Sequence, residues 1–167
     1  MINRQLVPVV MASALMFTPG GVPSLANEAQ YIRDGKYYDA DDRPTYRLGA
    51  DGQVDWHTYS GYRRYHESCH VCHGADGDGA AHGSALTETA STMDYFEFVD
   101  IVMNGRNAAG KVMPAFGTNP QVYCFVDDVY IYLRARGAGA VPRGRPSLKA
   151  EKPDAAIAFE KDCLGKD

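Results

Sequence analysis

Cysteine, excess charge and long apolar runs are all scarce in this sequence, and each scarcity removes a class of protein. Four cysteines in 167 residues are too few for a small domain built on disulfides. A formal net charge of −4 argues against a protein held to nucleic acid through phosphate contacts. The apolar stretch at residues 6–17 has about a dozen residues, whereas a helix needs roughly 20 to cross a bilayer. The 45% of hydrophobic residues is still enough to bury the core of one domain.

Residues 1–26 have the order of features of a secretory signal peptide. Arg4 precedes the apolar stretch, a Pro/Gly break follows it, and the small residues Ser24 and Ala26 stand where a cleavage site would be. The alternative is a membrane anchor, for which the stretch is too short. We therefore expect cleavage after Ala26 and export of the mature chain to a compartment in which disulfides persist.

Three segments of the remaining chain place apolar residues at the spacing of an α-helix. The last of these segments is residues 119–137, and it has typical helix boundaries, with Pro120 near its start and Gly137 at its end. No segment alternates polar and apolar residues as a strand does, so the sequence predicts an all-α fold. The predicted helices are residues 55–69, 94–104 and 119–137.

The first predicted helix runs into a C-x-x-C-H motif, the attachment signature of a c-type haem. Two thiols one helical turn apart can each form a thioether to a vinyl group of the porphyrin. The imidazole next to the second thiol is then placed under the iron as its proximal ligand. The motif predicts covalent attachment through Cys69 and Cys72, with His73 as the proximal ligand.

Three other uses of the motif are weaker. A redox-active dithiol is expected after a strand and has no need of His73. A zinc site needs a second closely spaced ligand pair, and Cys124 and Cys163 are far apart in the sequence. A disulfide within the motif leaves His73 unexplained. The helical context and the predicted export therefore favour haem.

An electron-carrying haem needs a sixth ligand, and methionine is suited to it because a thioether stabilises Fe(II). Met93 precedes the second predicted helix, and Met103 lies on the apolar face of that helix, where methionine commonly fills core space. Met113 stands in a loop, and Pro114 stiffens the backbone just beyond it. We predict Met113 as the distal ligand. Three histidines are alternatives in principle: His57, His66 and His82.

The other two cysteines suit a disulfide that ties the C-terminal tail to the domain, since the chain is expected to be exported. A Cys124–Cys163 bond would close a loop of about 40 residues, worth on the order of 3 to 4 kcal/mol in the chain-entropy model. The alternative is a pair of unrelated buried thiols.

Five segments between residues 55 and 137 carry a likeness to a known family, namely Gly61-x-x-x-Tyr65, Cys69 to His73, Gly74 to Gly79, Val112 to Gly117 and Tyr130 to Leu133. With these segments, residues 55–137 resemble class I cytochromes c. The resemblance implies one covalently bound haem c, and it implies that Gly61 and Tyr65 meet the last helix of the haem domain. The polar, turn-rich residues 27–54 are predicted to form an N-terminal extension, and the Pro- and Gly-containing residues 138–167 a linker and tail.

One departure from the family concerns the segment after the motif. The family commonly has Gly-Pro-x-Leu there, and the proline's carbonyl accepts the second ring N–H of the proximal histidine. This chain has Ser84 in place of that proline, between Gly83 and Ala85. The resemblance therefore implies a hydrogen bond from His73 to the Ser84 carbonyl.

The four-cysteine layout, the Met-Pro-Ala-Phe-Gly loop and the tyrosine-rich residues 27–54 together resemble the cytochromes associated with methanol metabolism. This resemblance implies a periplasmic single-electron carrier rather than an enzyme. Its donor would be a PQQ-dependent methanol or alcohol dehydrogenase, and its acceptor another cytochrome or an oxidase. The alternatives are a carrier of another pathway, a haem subunit fixed to a dehydrogenase, and a haem enzyme or gas sensor with a labile sixth ligand.

A basic stretch near the C-terminus has two interpretations, a docking site or a solvated edge, and we favour the solvated edge. Its members are Arg134, Arg136, Arg143, Arg145 and Lys149.

Overall fold

The computed structural model describes residues 29–108 and 110–165, so the predicted signal peptide lies outside the described part. Within it, no helix has the length and apolar character needed to cross a membrane. The helices are α1 (Trp56–Ser68), α2 (His70–His73), a 3-10 turn (Ala75–Gly77), α3 (Leu86–Thr92), α4 (Tyr95–Asn104), α5 (Pro120–Tyr123), α6 (Val126–Gly137) and α7 (Asp154–Leu164). The strands are β1 (Tyr31–Arg33), β2 (Lys36–Tyr38), β3 (Pro44–Thr45), β4 (Arg106–Ala108) and β5 (Lys111–Met113).

Helices α1 and α6 cross in the core at very short range. Helix α1 begins after Asp55, whose carboxylate accepts the backbone N–H of Thr58 at 3.0 Å. Further along, a Cβ placed on Gly61 would lie only 1.8 Å from the carbonyl oxygen of Asp128 in α6. Beside this contact Tyr65 and Tyr132 are fully buried, with ring centroids 5.7 Å apart. Gly61 and Tyr65 therefore meet α6, as the resemblance to class I cytochromes implied.

Helix α6 is buried on more than the one face that its apolar spacing predicts. Every residue from 128 to 135 is buried, because α1, α3 and β3 all pack against the helix. Arg134 reaches the sheet that contains β3, donating to the Asp39 carboxylate at 3.0 Å and to the Pro44 carbonyl at 3.1 Å. A charged residue on α6 is thus buried with its partner.

The prediction of an all-α fold is correct only in part. Strands β1, β2 and β3 form an antiparallel sheet in that order, with Tyr31 opposite Tyr38 and Tyr37 opposite Thr45. Strands β4 and β5 form a second antiparallel pair. Each strand has only two or three residues, too few for an alternating pattern to be visible.

The predicted helices are confirmed, with changes at their ends. The second starts after Asp94, whose carboxylate accepts the backbone N–H groups of Phe96 and Glu97. The third is divided into α5 and α6 by a break at Cys124 and Phe125. Helix α3 was not predicted, and α7 lies within the segment that was predicted only as a linker and tail.

The predicted disulfide is present. Cys124, at the end of α5, is bonded to Cys163 in α7, with their Cα atoms 5.9 Å apart. The bond joins the C-terminal helix to the segment that leads into α6. The alternative of two unrelated thiols is therefore wrong.

Candidate haem site

A cavity of about 690 Å³ lies between α2, α3, α4, the β4–β5 hairpin and α6. All four residues predicted to hold haem line it, namely Cys69, Cys72, His73 and Met113. The rest of its wall is largely apolar. Its main apolar members are Leu86, Phe98, Ile101, Val102, Val126 and Val129. A volume of this size with such a wall suits a large, flat, mostly apolar cofactor.

The C-x-x-C-H motif forms a single helical turn directly after α1. The backbone N–H groups of Cys72 and His73 both donate to the Cys69 carbonyl, at 3.2 and 3.0 Å. Both motif cysteines are free of disulfides, so a bond within the motif is excluded in this structure. Burial, reinforced by the nearby Cys72, raises the pKa of the Cys69 thiol to about 11. A redox-active dithiol would need the opposite shift.

His73 is oriented by the segment that follows the motif. Its Nδ1 lies 2.9 Å from the Ser84 carbonyl oxygen. Because a carbonyl can only accept, Nδ1 carries the proton and Nε2 is left in the form that binds a metal. The adjacent Gly83 allows this approach, since a Cβ there would lie 2.8 Å from Nδ1 of His73 and 2.7 Å from the Cys72 carbonyl oxygen. The hydrogen bond expected for Ser84 is thus present without the family's proline.

Two of the three candidate methionines line the cavity. Met113 lies at the end of β5, and Met93 follows α3, whereas Met103 is absent from the cavity wall and packs against the core. Met93 also packs against that core, while Met113 does not belong to it. The geometry therefore favours Met113 and leaves Met93 as the methionine to test against it.

Of the alternative histidines, only His82 reaches the cavity. His57 is buried elsewhere, with Nδ1 2.8 Å from a carboxylate oxygen of Asp128. His66 has Nδ1 2.8 Å from the Tyr62 carbonyl oxygen. In the described part of the chain, no cluster of three or more histidine, cysteine or acidic residues suits a metal ion.

Sequence reasoning missed two groups of cavity residues. Leu86 and Thr89 were missed because α3 was not predicted. Arg106 and Lys111 were missed because the β4–β5 hairpin was taken for part of a loop. Gly105 and Gly110 lie on either side of β4, and these glycines were the available sequence signals of a turn.

The helices around this cavity and the motif at its wall define a class I-like c-type cytochrome fold. A family model described as cytochrome c oxidase, cbb3-type, subunit III, matches residues 58–124. The crystal structure of the c-type cytochrome XoxG from Methylobacterium extorquens AM1 is 50% identical in sequence, with a TM-score of 0.78. The alignment covers 81% of this chain and 86% of that one.

Two curated relatives agree with this assignment. Cytochrome c-555 of Methylococcus capsulatus is 38% identical over 101 residues, 60% of this chain and 76% of that protein. Cytochrome c-553I of Paracoccus denitrificans is 48% identical over 138 residues, 80% of this chain but only 61% of that protein. The chain belongs to the c-type cytochromes. Members of this family bind covalently attached haem c and are electron-transfer proteins rather than enzymes.

Proposed function

We propose that this chain is a periplasmic single-electron carrier between a PQQ-dependent methanol or alcohol dehydrogenase and a downstream cytochrome or oxidase. The observation that carries the proposal is the meeting of Cys69, Cys72, His73 and Met113 at one largely apolar cavity. Export follows from removal of residues 1–26 as a signal peptide, and residues 55–137 act as the haem domain. The donor is inferred from the four-cysteine layout and the sequence resemblance described above.

Each site residue has a distinct part in this proposal. Cys69 and Cys72 would hold haem c through thioethers, and His73 and Met113 would be the ligands of its iron. When bound, haem c supplies a one-electron Fe(II)/Fe(III) couple. The Ser84 carbonyl fixes the ring of His73, and the apolar wall excludes water from the cavity. A rigid, dry site changes little when the charge on the iron changes, which suits fast electron transfer.

Replacing Met113 by alanine should remove the distal ligand. We expect the oxidised holoprotein to lose its methionine-to-iron charge-transfer band and the reduced protein to bind carbon monoxide. The reduction potential should fall by a sizeable part of the roughly 0.8 V range that axial ligands control. Absorption spectroscopy and potentiometry measure these changes.

The matched control is Met93→Ala, which removes the other methionine at the cavity wall. It should keep the charge-transfer band and resist carbon monoxide. If Met93→Ala loses the band and Met113→Ala keeps it, the distal ligand has been assigned to the wrong methionine. Ready carbon monoxide binding by the unaltered protein would instead support a haem enzyme or gas sensor.

The donor is tested by stopped-flow mixing of the oxidised holoprotein with a PQQ-dependent methanol dehydrogenase and methanol. We expect reduction of the haem at micromolar protein, with a rate that saturates as cytochrome concentration rises. A PQQ-dependent dehydrogenase for a sugar, mixed with its own substrate, is the control and should reduce the protein far more slowly. Equal rates with both donors, or none with methanol dehydrogenase, would contradict the assigned donor.

A further inference from the structure

The cavity wall contains two cations and no carboxylate among its described residues. Arg106 and Lys111 both line the cavity, and both are exposed. This is unexpected in a chain with a formal net charge of −4. The two side chains therefore lie where the apolar cavity meets solvent.

The register of the hairpin puts both cations on the same face as Met113. Arg106 pairs with Met113, and Ala108 pairs with Lys111. Residues directly opposite each other in an antiparallel pair point to the same side, and so do residues two apart on one strand. One face of the hairpin thus carries the proposed distal ligand together with two positive charges.

Several other arginines of the described chain are paired with an acidic side chain. Arg33 pairs with Asp42 at 3.0 Å, Arg136 with Asp78 at 3.2 Å, and Arg63 with Glu67 at 3.5 Å. Within residues 29–108 and 110–165, neither Arg106 nor Lys111 makes a side-chain hydrogen bond or ion pair. Their charges are directed to the cavity mouth without a protein anion to meet them.

We propose that Arg106 and Lys111 bind the two propionate carboxylates of haem c. The inference rests on the proposed function, because it requires haem in this cavity. Haem brings two carboxylates that lose part of their hydration on binding, and a carboxylate near an apolar wall needs a partner. The planar fork of an arginine can hold a carboxylate through two parallel hydrogen bonds, while lysine supplies a point charge. In the described cavity wall these are the two side chains with a permanent positive charge.

The pairing also has a consequence for electron transfer. With both propionates matched by cations, the negative charge close to the iron is reduced. Removing a cation restores that negative charge, which favours Fe(III) over Fe(II) and lowers the reduction potential. Arg106 and Lys111 would therefore set part of the potential without contacting the iron.

The test uses the holoprotein with Arg106→Gln, Lys111→Gln and the double variant. Resonance Raman spectra report the bending modes of the haem propionates, which depend on their hydrogen bonds. We expect these modes to shift in each single variant and further in the double variant, and Arg106→Lys to restore part of the shift. At a fixed electrode potential the ratio of reduced to oxidised double variant should fall about tenfold, equivalent to about 59 mV for one electron.

Lys161→Gln is the matched control, because it removes an exposed lysine charge on α7 away from the cavity wall. It should leave the propionate modes unchanged. The proposal would be overturned if both single variants kept the propionate modes of the unaltered protein while their methionine-to-iron band stayed intact. If Arg106→Gln disturbs the methionine-to-iron band, the propionate modes of Lys111→Gln and Arg106→Lys are compared with those of the unaltered protein instead. Unchanged modes in Lys111→Gln would then overturn the proposal. Absence of the band or of the thioethers in the unaltered protein would contradict the proposed function instead.

Discussion

Replacing Gly61 by alanine should lower the free energy of unfolding by about 3 kcal/mol or more, the upper end of what overpacking costs. The added Cβ would lie 1.8 Å from the Asp128 carbonyl oxygen and 2.5 Å from its carbonyl carbon. These are backbone atoms of α6, so they cannot turn aside as the end of a flexible side chain can. Helices α1 and α6 would have to separate, which loosens the packing of Tyr65 on Tyr132.

The gain in helix propensity from glycine to alanine, about 1 kcal/mol, is too small to offset this clash. The matched control is Gly49→Ala, whose Cβ would meet Gln53 at an ordinary 3.5 Å. It should change stability by no more than about 0.5 kcal/mol. Chemical unfolding of the oxidised holoprotein, followed by circular dichroism, measures both variants. Equal unfolding midpoints for Gly61→Ala and the unaltered protein would show that α1 and α6 do not approach this closely.

Three features could be predicted from the sequence, because each depends on local chemistry or on the few residues available for it. The C-x-x-C-H spacing alone implies one helical turn, because its chemistry is local, and α2 has that form. The hydrogen bond from His73 to Ser84 was predictable because any backbone carbonyl can replace the carbonyl of the family's proline. The disulfide between Cys124 and Cys163 followed from the pairing of the two remaining cysteines.

The short strands could not be found by periodicity. Two or three residues cannot display an alternating pattern, so the sheet beside α6 depends on turn signals instead. One such signal was present. Asp34 and Gly35 have φ angles of 50° and 80°, the left-handed pair that joins the strands of a tight hairpin. An Asp-Gly sequence between tyrosine-rich segments was therefore better evidence for strands than the missing alternation was against them.

The basic stretch shows why charge along a sequence does not predict exposure. Arg134 is buried, whereas Arg143, Arg145 and Lys149 are exposed, so the solvated edge that we favoured describes only part of the stretch. Arg136 donates to the Val141 carbonyl at 2.8 Å and pairs with Asp78. The Nζ of Lys149 lies 5.1 Å from the ring centroid of Trp56. These side chains fasten the segment after α6 to the haem domain, an arrangement that only the tertiary fold defines.

A second contact between distant segments is the buried ion pair of Asp39, which follows β2, with Arg134 of α6. Asp39 is 4% exposed and Arg134 is 8% exposed. One carboxylate oxygen of Asp39 accepts from Arg134 and from Nε of Arg43, and the other accepts the backbone N–H groups of Asp41 and Arg43, all at 3.0 Å. Burial by itself would raise the pKa of Asp39. The hydrogen bonds and the charge of Arg134 outweigh it and hold that pKa below its ordinary value.

Replacing Asp39 by asparagine should lower the free energy of unfolding at pH 7 by about 3 to 5 kcal/mol, because it removes a carboxylate that is ion-paired with the buried Arg134. The side chain of asparagine also has an NH2 group in place of one carboxylate oxygen. This group is a donor, and it would face N–H donors that the carboxylate accepts from in the unaltered protein. A lowered native pKa means that Asp39 stabilises the fold fully above its unfolded value of about 3.9. That contribution is lost as pH falls through the lower native pKa. The difference between the two proteins should therefore be largest near neutral pH and shrink below about pH 4.

The control for this pH dependence is Asp41→Asn, the same substitution two residues away. Asp41 also pairs with Arg43, but its side chain is 72% exposed, and such surface pairs contribute little. Unfolding midpoints measured across the acid range should separate Asp39→Asn from the other two proteins at pH 7 and bring all three together in strong acid. A constant gap at every pH would mean that the charge of Asp39 does not stabilise α6 against the sheet, and that the substitution acts through shape alone.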